Sequence, residues 1–311
     1  MPGYIFGVDV GGTAVKLGLF KDGRLAEKKN IPTRTGNGGE NILPDIADAM
    51  KEMLRARGEE FSCVYGTGIA LPGPVLDERI VNKCVNLGWG VVNVAAELEA
   101  LTGVRNIKAA NDANAAALGE ICAGGAKGAG EAVMLTLGTA VGGALIHKGK
   151  IVPGAFGAGG EVGHMIMDTG ESIPCSCGGR GHLEQYASGR GIVFVARRIL
   201  ESADTPSQLR AMESFTPKDV FDLAKAGDEI ALRASDAACE MLGRACAYIS
   251  CVFDPEVYII GGGVSAAGGI LISGIQKYFR QYAFHASRNA RFVAAKLGND
   301  AGIWGAAGLI R

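Results

Sequence analysis

Residues 175–184 read CSCGGRGHLE: two cysteines one residue apart, a glycine-rich turn, a histidine and a glutamate. Such a stretch suits a metal site, a redox pair, a disulfide or only a tight turn. In a reducing compartment, close cysteines with histidines nearby read as metal ligands or catalytic thiols before they read as a disulfide. The redox dithiol is the weaker of these readings, because C-x-C lacks the helix-opening C-x-x-C context. The other six cysteines (Cys63, Cys84, Cys122, Cys239, Cys246 and Cys251) lie scattered, mostly among apolar residues, where cysteine behaves as a small buried hydrophobe.

Two aspartates stand beside glycine turns or element junctions. Asp9 precedes the turn Gly11-Gly12-Thr13, and Asp112 sits in AANDANAAA, where a strand runs into a helix. On that residue alone, an N-cap aspartate is the plain reading. The Gly-Thr pair returns in the second half of the chain: a shift of 126 positions superposes Gly12 and Thr13 on Gly138 and Thr139, Leu19 on Leu145, and Gly23 on Gly149. A bare hairpin has no reason to repeat that pair at matching positions, so the chain reads as an internal duplication. Two halves that each open with a Gly-Thr turn suggest two domains facing across a cleft, with backbone N–H groups from both able to meet one polyphosphate.

The common nucleotide signatures are absent. There is no G-x-x-x-x-G-K-[ST], and the nearest approach to G-x-G-x-x-[GA] is GGGVSA at 261–266, far from any amino-terminal βαβ unit, which argues against a Rossmann dehydrogenase. EVYIIGGGVS does deliver Gly261, Gly262 and Gly263 from a buried strand to a helix start, where backbone can receive a phosphate or lie against an adenosine.

The elements that position these residues follow an α/β pattern. Residues 4–31 predict a three-stranded meander, repeated from about residue 132. Helical periodicity covers 40–57, 92–102, 183–202, 217–226 and 229–251, with strands at 63–70, before Asp112, and at EVYII. AGGAKGAG at 123–130 is the best candidate boundary between the halves.

Composition bounds the rest. The 311 residues suffice for two domains with buried cores, and 48% hydrophobic against 20% charged residues is a globular profile. With 48 glycines and no G-X-Y period, many backbone positions must be tight turns or close approaches. A net charge of −1 without a basic run lacks the footprint of a nucleic-acid or membrane-surface binder. No signal-peptide pattern or long apolar run is present, so a cytoplasmic protein is expected.

As a set, DVGGTAVKLGLF (9–20), GIALPGPV (68–75), NLGW (86–89), NDANAAALGE (111–120), LGTAVGGALI (137–146), GGEVGH (159–164), CSCGGRGHLE (175–184), IIGGGV (259–264) and AGIWGAAGLI (301–310) resemble the ROK sugar kinases (repressor, open reading frame, kinase) over essentially the whole chain. The resemblance implies a duplicated actin-like ATPase (ribonuclease H-like) fold around a cleft. It implies a smaller amino-terminal domain over 1–117, to which a helix at 298–311 returns, and a larger domain over 118–297. It implies ATP with Mg²⁺, a sugar substrate and a homodimer. Residue by residue, it assigns Asp112 as the base for the sugar hydroxyl. Asn86, Asn111, Glu161, His164 and Glu184 become sugar contacts, and Asp9 the partner of magnesium or its waters. Gly11, Gly12, Thr13, Lys16, Gly138 and Thr139 would line the phosphates, with Gly261, Gly262 and Gly263 at the nucleotide.

The family's E-x-G-H histidine and three cysteines hold a structural zinc. Here the third cysteine position is His182, so the set becomes His164, Cys175, Cys177 and His182, and two of only four histidines fall at these places. Zinc accepts imidazole and thiolate alike in closed tetrahedral sites. An imidazole is longer than a thiol, so the turn at GGRG must stand back. Ala140 also departs from the family, replacing a glycine of the second phosphate turn. NLGW followed by ANDANAAALGE looks most like the glucokinases, with N-acetylmannosamine, N-acetylglucosamine, fructose, mannose or allose as alternative sugars. The family's sugar-sensing repressors carry a winged helix-turn-helix ahead of the D-x-G-G-T strand, and here that strand starts at about residue 4.

Overall fold

The computed structural model describes residues 3–175 and 177–310. The amino-terminal meander is β1 (Tyr4–Val10), β2 (Ala14–Lys21) and β3 (Arg24–Pro32). β1 and β2 pair antiparallel from Tyr4 opposite Lys21 to Val10 opposite Val15, which leaves Gly11, Gly12 and Thr13 as the turn. Helix α1 (Ile42–Arg55) buries Ile46, Met50 and Met53 along one stripe, and β4 (Val64–Leu71) then enters parallel to β1. A small antiparallel sheet of β5 (Val75–Leu76), β6 (Ile80–Cys84) and β7 (Trp89–Asn93) precedes α2 (Val94–Thr102). The strand β8 (Ile107–Asn111) pairs parallel with β4 and runs straight into α3 (Asp112–Ala123).

The second half has β9 (Ala132–Leu137), β10 (Val141–His147) and β11 (Lys150–Ile151). Then come α4 (Glu184–Ala187), α5 (Gly189–Ser202), α6 (Pro217–Lys225), α7 (Glu229–Val252), β12 (Val257–Gly261), α8 (Gly269–Tyr282), β13 (Arg291–Ala294) and α9 (Ala301–Gly308). The helical pattern over 183–202 is broken at Ser188, whose backbone is extended and whose hydroxyl oxygen caps α5 by accepting the Gly191 N–H at 3.0 Å. Strand order is β3-β2-β1-β4-β8 in one sheet and β11-β10-β9-β12-β13 in the other. Counted in chain order within each sheet, both read 3-2-1-4-5, the separate hairpin sheet of β5, β6 and β7 being an insertion in the first half, so the repeat in the sequence is a repeat of topology.

The chain divides into two compact units. The first comprises the chain up to Gly128, Leu145–Gly159 and the residues from Lys296 onward, and the second comprises Ala129–Ala144 and Gly160–Ala295. The first crossing falls inside the glycine-rich stretch 123–130.

Several glycines of the first unit serve α9. A Cβ at Gly68 of β4 would lie 1.7 Å from the Ala306 carbonyl oxygen, and one at Gly305 would lie 1.6 Å from that of Ala115 on α3. Helix and sheet therefore touch backbone to backbone. The turn ahead of α9 is tied to α3 by Glu120, whose side chain is fully buried. Its carboxylate accepts the backbone N–H of Gly125 at 2.7 Å, of Lys296 at 2.9 and 3.0 Å to its two oxygens, and of Leu297 at 2.8 Å.

Candidate active site and metal centre

In the first unit, Asn111 and Asp112 take distinct parts at the start of α3. The cap is Asn111, not Asp112: the Asn111 Oδ1 accepts the N–H groups of Ala113 (3.0 Å) and Asn114 (3.3 Å), while its Nδ2 donates to the Gly73 carbonyl at 3.2 Å. Asp112 is thereby relieved of the capping task. One of its oxygens accepts the Ala113 N–H at 2.8 Å. Burial pushes its carboxyl above the usual carboxylate range, the Ala113 N–H opposes this, and the negative charge of Asp9 raises it further. Asp9 is itself raised by burial, against the pull of Lys16, whose Nζ lies 3.4 Å from the Asp9 Oδ2 and 3.1 Å from the Asn299 carbonyl. Two carboxylates whose surroundings disfavour their charge, one of them further raised by the other, are what a site built for a cation and a proton acceptor needs. Gly12 and Thr13 are exposed in the adjoining turn, which the Thr33 hydroxyl anchors by donating to the Gly11 carbonyl at 2.7 Å. Asn86 is exposed in a short 3₁₀ turn, Val85–Leu87.

In the second unit, Gly138 and Thr139 occupy the turn between β9 and β10, and the Gly138 carbonyl accepts the N–H of Gly189 at the start of α5. Gly262 has φ +82°, and a Cβ there would lie 2.5 Å from the Leu137 carbonyl oxygen, so glycine is required both by conformation and by contact. These turns open on a cavity of about 830 Å³. It is lined by Thr139 and Gly263 and by Val193, Phe215, Phe221 and Val264, with Arg190, Arg197 and Lys218 also in its walls. A room of this size with apolar walls and one polar glycine end suits a purine nucleotide. Phe215, Phe221 and the three cations escaped the sequence reading, since a phenylalanine at a helix start looks the same whether it packs in a core or faces a base.

The metal motif also folds in the second unit. A 3₁₀ turn over Val162–His164 follows Glu161, and the His164 Nε2 lies 3.9 Å from the Glu161 Oε2. The His164 Nδ1 and His182 Nδ1 are 3.4 Å apart, and the Cys177 Sγ is 3.2 Å from the His182 Nδ1. Zinc held at about 2.0–2.1 Å by imidazole and about 2.3 Å by thiolate separates tetrahedral ligand atoms by roughly 3.3–3.6 Å, so this trio fits a metal. Cys175 converges instead with Cys177 and Glu184, its Sγ 2.6 Å from the Glu184 Oε1. The structure thus brings Cys177 to both groups, with Cys175 and Glu184 buried and His164 and Cys177 exposed.

The model of the ROK family matches residues 5–311. The chain belongs to the ROK family. A glucokinase of Halalkalibacterium halodurans is 38% identical over 98% of this chain and 94% of its own length. An N-acetyl-D-glucosamine kinase of Vibrio vulnificus is 30% identical over 97% of each chain. The crystal structure of a ROK family glucokinase from Streptomyces griseus in complex with glucose and AMPPNP is similar at 31% identity and a TM-score of 0.71, covering 98% of both chains. The two like sheets of this ROK chain are those of the actin-like ATPase fold.

Proposed function

We propose that this ROK protein is an ATP-dependent hexose kinase that transfers the γ-phosphoryl group to the 6-hydroxyl of a sugar, glucose first. The observation that carries the reading is Asp112: a solvent-accessible carboxylate at the start of α3, freed from capping by Asn111, its pKa raised by desolvation and by the charge of Asp9 so that it holds a proton more readily than an ordinary carboxylate. Phosphoryl transfer needs little covalent chemistry from the protein. One carboxylate aligned on the attacking hydroxyl and a magnesium ion on the phosphates form a sufficient set. Asp112 would accept the hydroxyl proton, and Asp9 would hold magnesium or its waters. Gly11, Gly12, Thr13, Lys16, Gly138 and Thr139 would meet the phosphates, with Gly261, Gly262, Gly263 and the cavity walls around the base. Asn86, Asn111, Glu161, His164 and Glu184 would take sugar hydroxyls.

ADP release measured with MgATP over a panel of hexoses and N-acetylhexosamines tests this. The highest kcat/KM is expected with glucose. A preference for an N-acetylhexosamine would reassign the sugar, and absence of sugar-stimulated turnover on every member would overturn the kinase reading.

His164, Cys177 and His182, with Cys175 as fourth ligand once its thiol turns from Glu184, would hold zinc, which on binding supplies a rigid tetrahedral node and no chemistry of its own. Glu161 and His164 are three residues apart, and Glu184 follows His182 by two, so the metal ligands alternate with proposed sugar ligands along the chain. Cys177→Ser is therefore expected to lower zinc content and to raise the KM for sugar far more than that for ATP. An unchanged sugar KM in a zinc-depleted Cys177→Ser enzyme would detach the metal from the pocket.

A further inference from the structure

We infer that Gly179 is the residue that admits an imidazole as metal ligand at position 182, and that the centre is shaped for two histidines. This inference rests on the metal reading above. The glycines on either side of it in the turn, Gly178 and Gly181, have φ of +87° and +68°, where glycine is favoured for conformation alone. Gly179 is not among the residues with positive φ, so its backbone conformation is open to any residue. The space above it is not. A Cβ at Gly179 would lie 2.4 Å from the His182 Cε1, 2.6 Å from its Nε2 and 3.3 Å from its Nδ1. The ring lies over the Gly179 Cα with its Cε1–Nε2 edge and presents Nδ1 to Cys177 and His164.

Neither backbone can yield cheaply. The turn is closed by the Cys175 N–H donating to the Gly179 carbonyl at 2.7 Å and the Gly178 N–H donating to the Cys175 carbonyl at 2.9 Å. At the other end, the His182 N–H donates to the Gln185 Oε1 at 3.1 Å, and the next N–H, that of Leu183, donates to the Met165 carbonyl at 2.9 Å. A methyl group at 179 must then be relieved by rotating the imidazole, which carries Nδ1 away from its fellow ligands. Gly179 is a positioning residue: it touches no metal, and it fixes which ring orientation is allowed. A shorter ligand at 182 would not reach over Gly179 and would not feel the change.

Zinc content by elemental analysis and zinc affinity by chelator competition, with the absorption of the cobalt-substituted protein as a geometric signature, should be measured on four proteins: wild type, Gly179→Ala, His182→Cys and the double variant. Gly179→Ala is expected to weaken zinc binding by roughly 10–100-fold, the size seen when a group that orients a metal ligand is lost. In the His182→Cys background the same substitution is expected to leave affinity and cobalt spectrum unchanged. Equal loss in both backgrounds would show a general lesion of the turn, and no loss in either would show that the ring is free to move; each overturns the inference while the metal reading stands. Wild-type protein with well under one zinc per chain would overturn both.

Discussion

Asp112→Asn is expected to cut kcat by about 10²–10⁴-fold, the usual range for losing a general base, while the KM for sugar changes little. The amide can still hydrogen-bond a hydroxyl, yet it has no basic oxygen to take the proton. The fold should not suffer. A carboxylate whose folded pKa is raised binds its proton more tightly in the native state, so once both states are ionised it is a net cost to stability. Replacing it with a neutral isostere removes that cost at neutral pH, and Tm should equal or exceed that of the wild type. The same raised pKa sets the acid side of the pH profile: the basic form is lost as pH falls through the raised value, so kcat/KM should begin to decline at a pH above the ordinary carboxylate range. Steady-state kinetics from acid to neutral pH, with a thermal melt of both proteins, checks all three. A near wild-type kcat in Asp112→Asn would place the base elsewhere, with Glu161 next to be tested.

The second large effect concerns Glu120, far less conspicuous in sequence. Glu120→Ala removes the acceptor for the N–H groups of Gly125, Lys296 and Leu297. Each donor stranded away from water costs about 1–3 kcal/mol, so a total loss of at least about 3 kcal/mol is expected. That is a large share of the roughly 5–15 kcal/mol that holds a typical domain together. Glu120→Gln should fall between, since the amide oxygen keeps part of the set while its NH₂ confronts a donor. Equilibrium urea unfolding with an unchanged m-value is the measurement. An Ala variant as stable as the wild type would mean that water replaces the carboxylate at no cost.

What the sequence disclosed and what it hid follow from range. The duplication was legible because Gly-Thr turns must recur wherever the meander recurs, and the strand order of the two sheets repeats accordingly. Three of the four expected metal ligands, His164, Cys177 and His182, come together, and two of them lie within one short loop; the fourth, Cys175, turns instead to Glu184, a contact that the spacing of the motif does not mark. The capping of α3 was not legible, since Asn111 and Asp112 are adjacent residues of equal capping ability and only the backbone angles choose between them. The hairpin sheet of β5, β6 and β7 was missed because its strands are short and each is half exposed. The break at Ser188 was announced by SGRG, a serine cap before two glycines, but the apolar period continues across it and masks the stop. The walls of the cavity proposed for the nucleotide come from α5, α6 and the turn after β12, elements far apart along the chain, and no local pattern marks residues that meet only after folding.

The backbone contact of α9 with Gly68 and Ala115 bears on how the chain is made. The first unit opens with β1 and closes with α9, and almost all of the second unit is translated in between. A nascent chain can therefore order its later half while the earlier one still waits for its lid. Until α9 leaves the ribosome, the glycine-studded face of β4 and the flank of α3 have no partner, and a bare apolar sheet face is what holdase chaperones bind. A stall or early stop just before residue 301 would release a protein half finished at its beginning, which marks it for proteolysis.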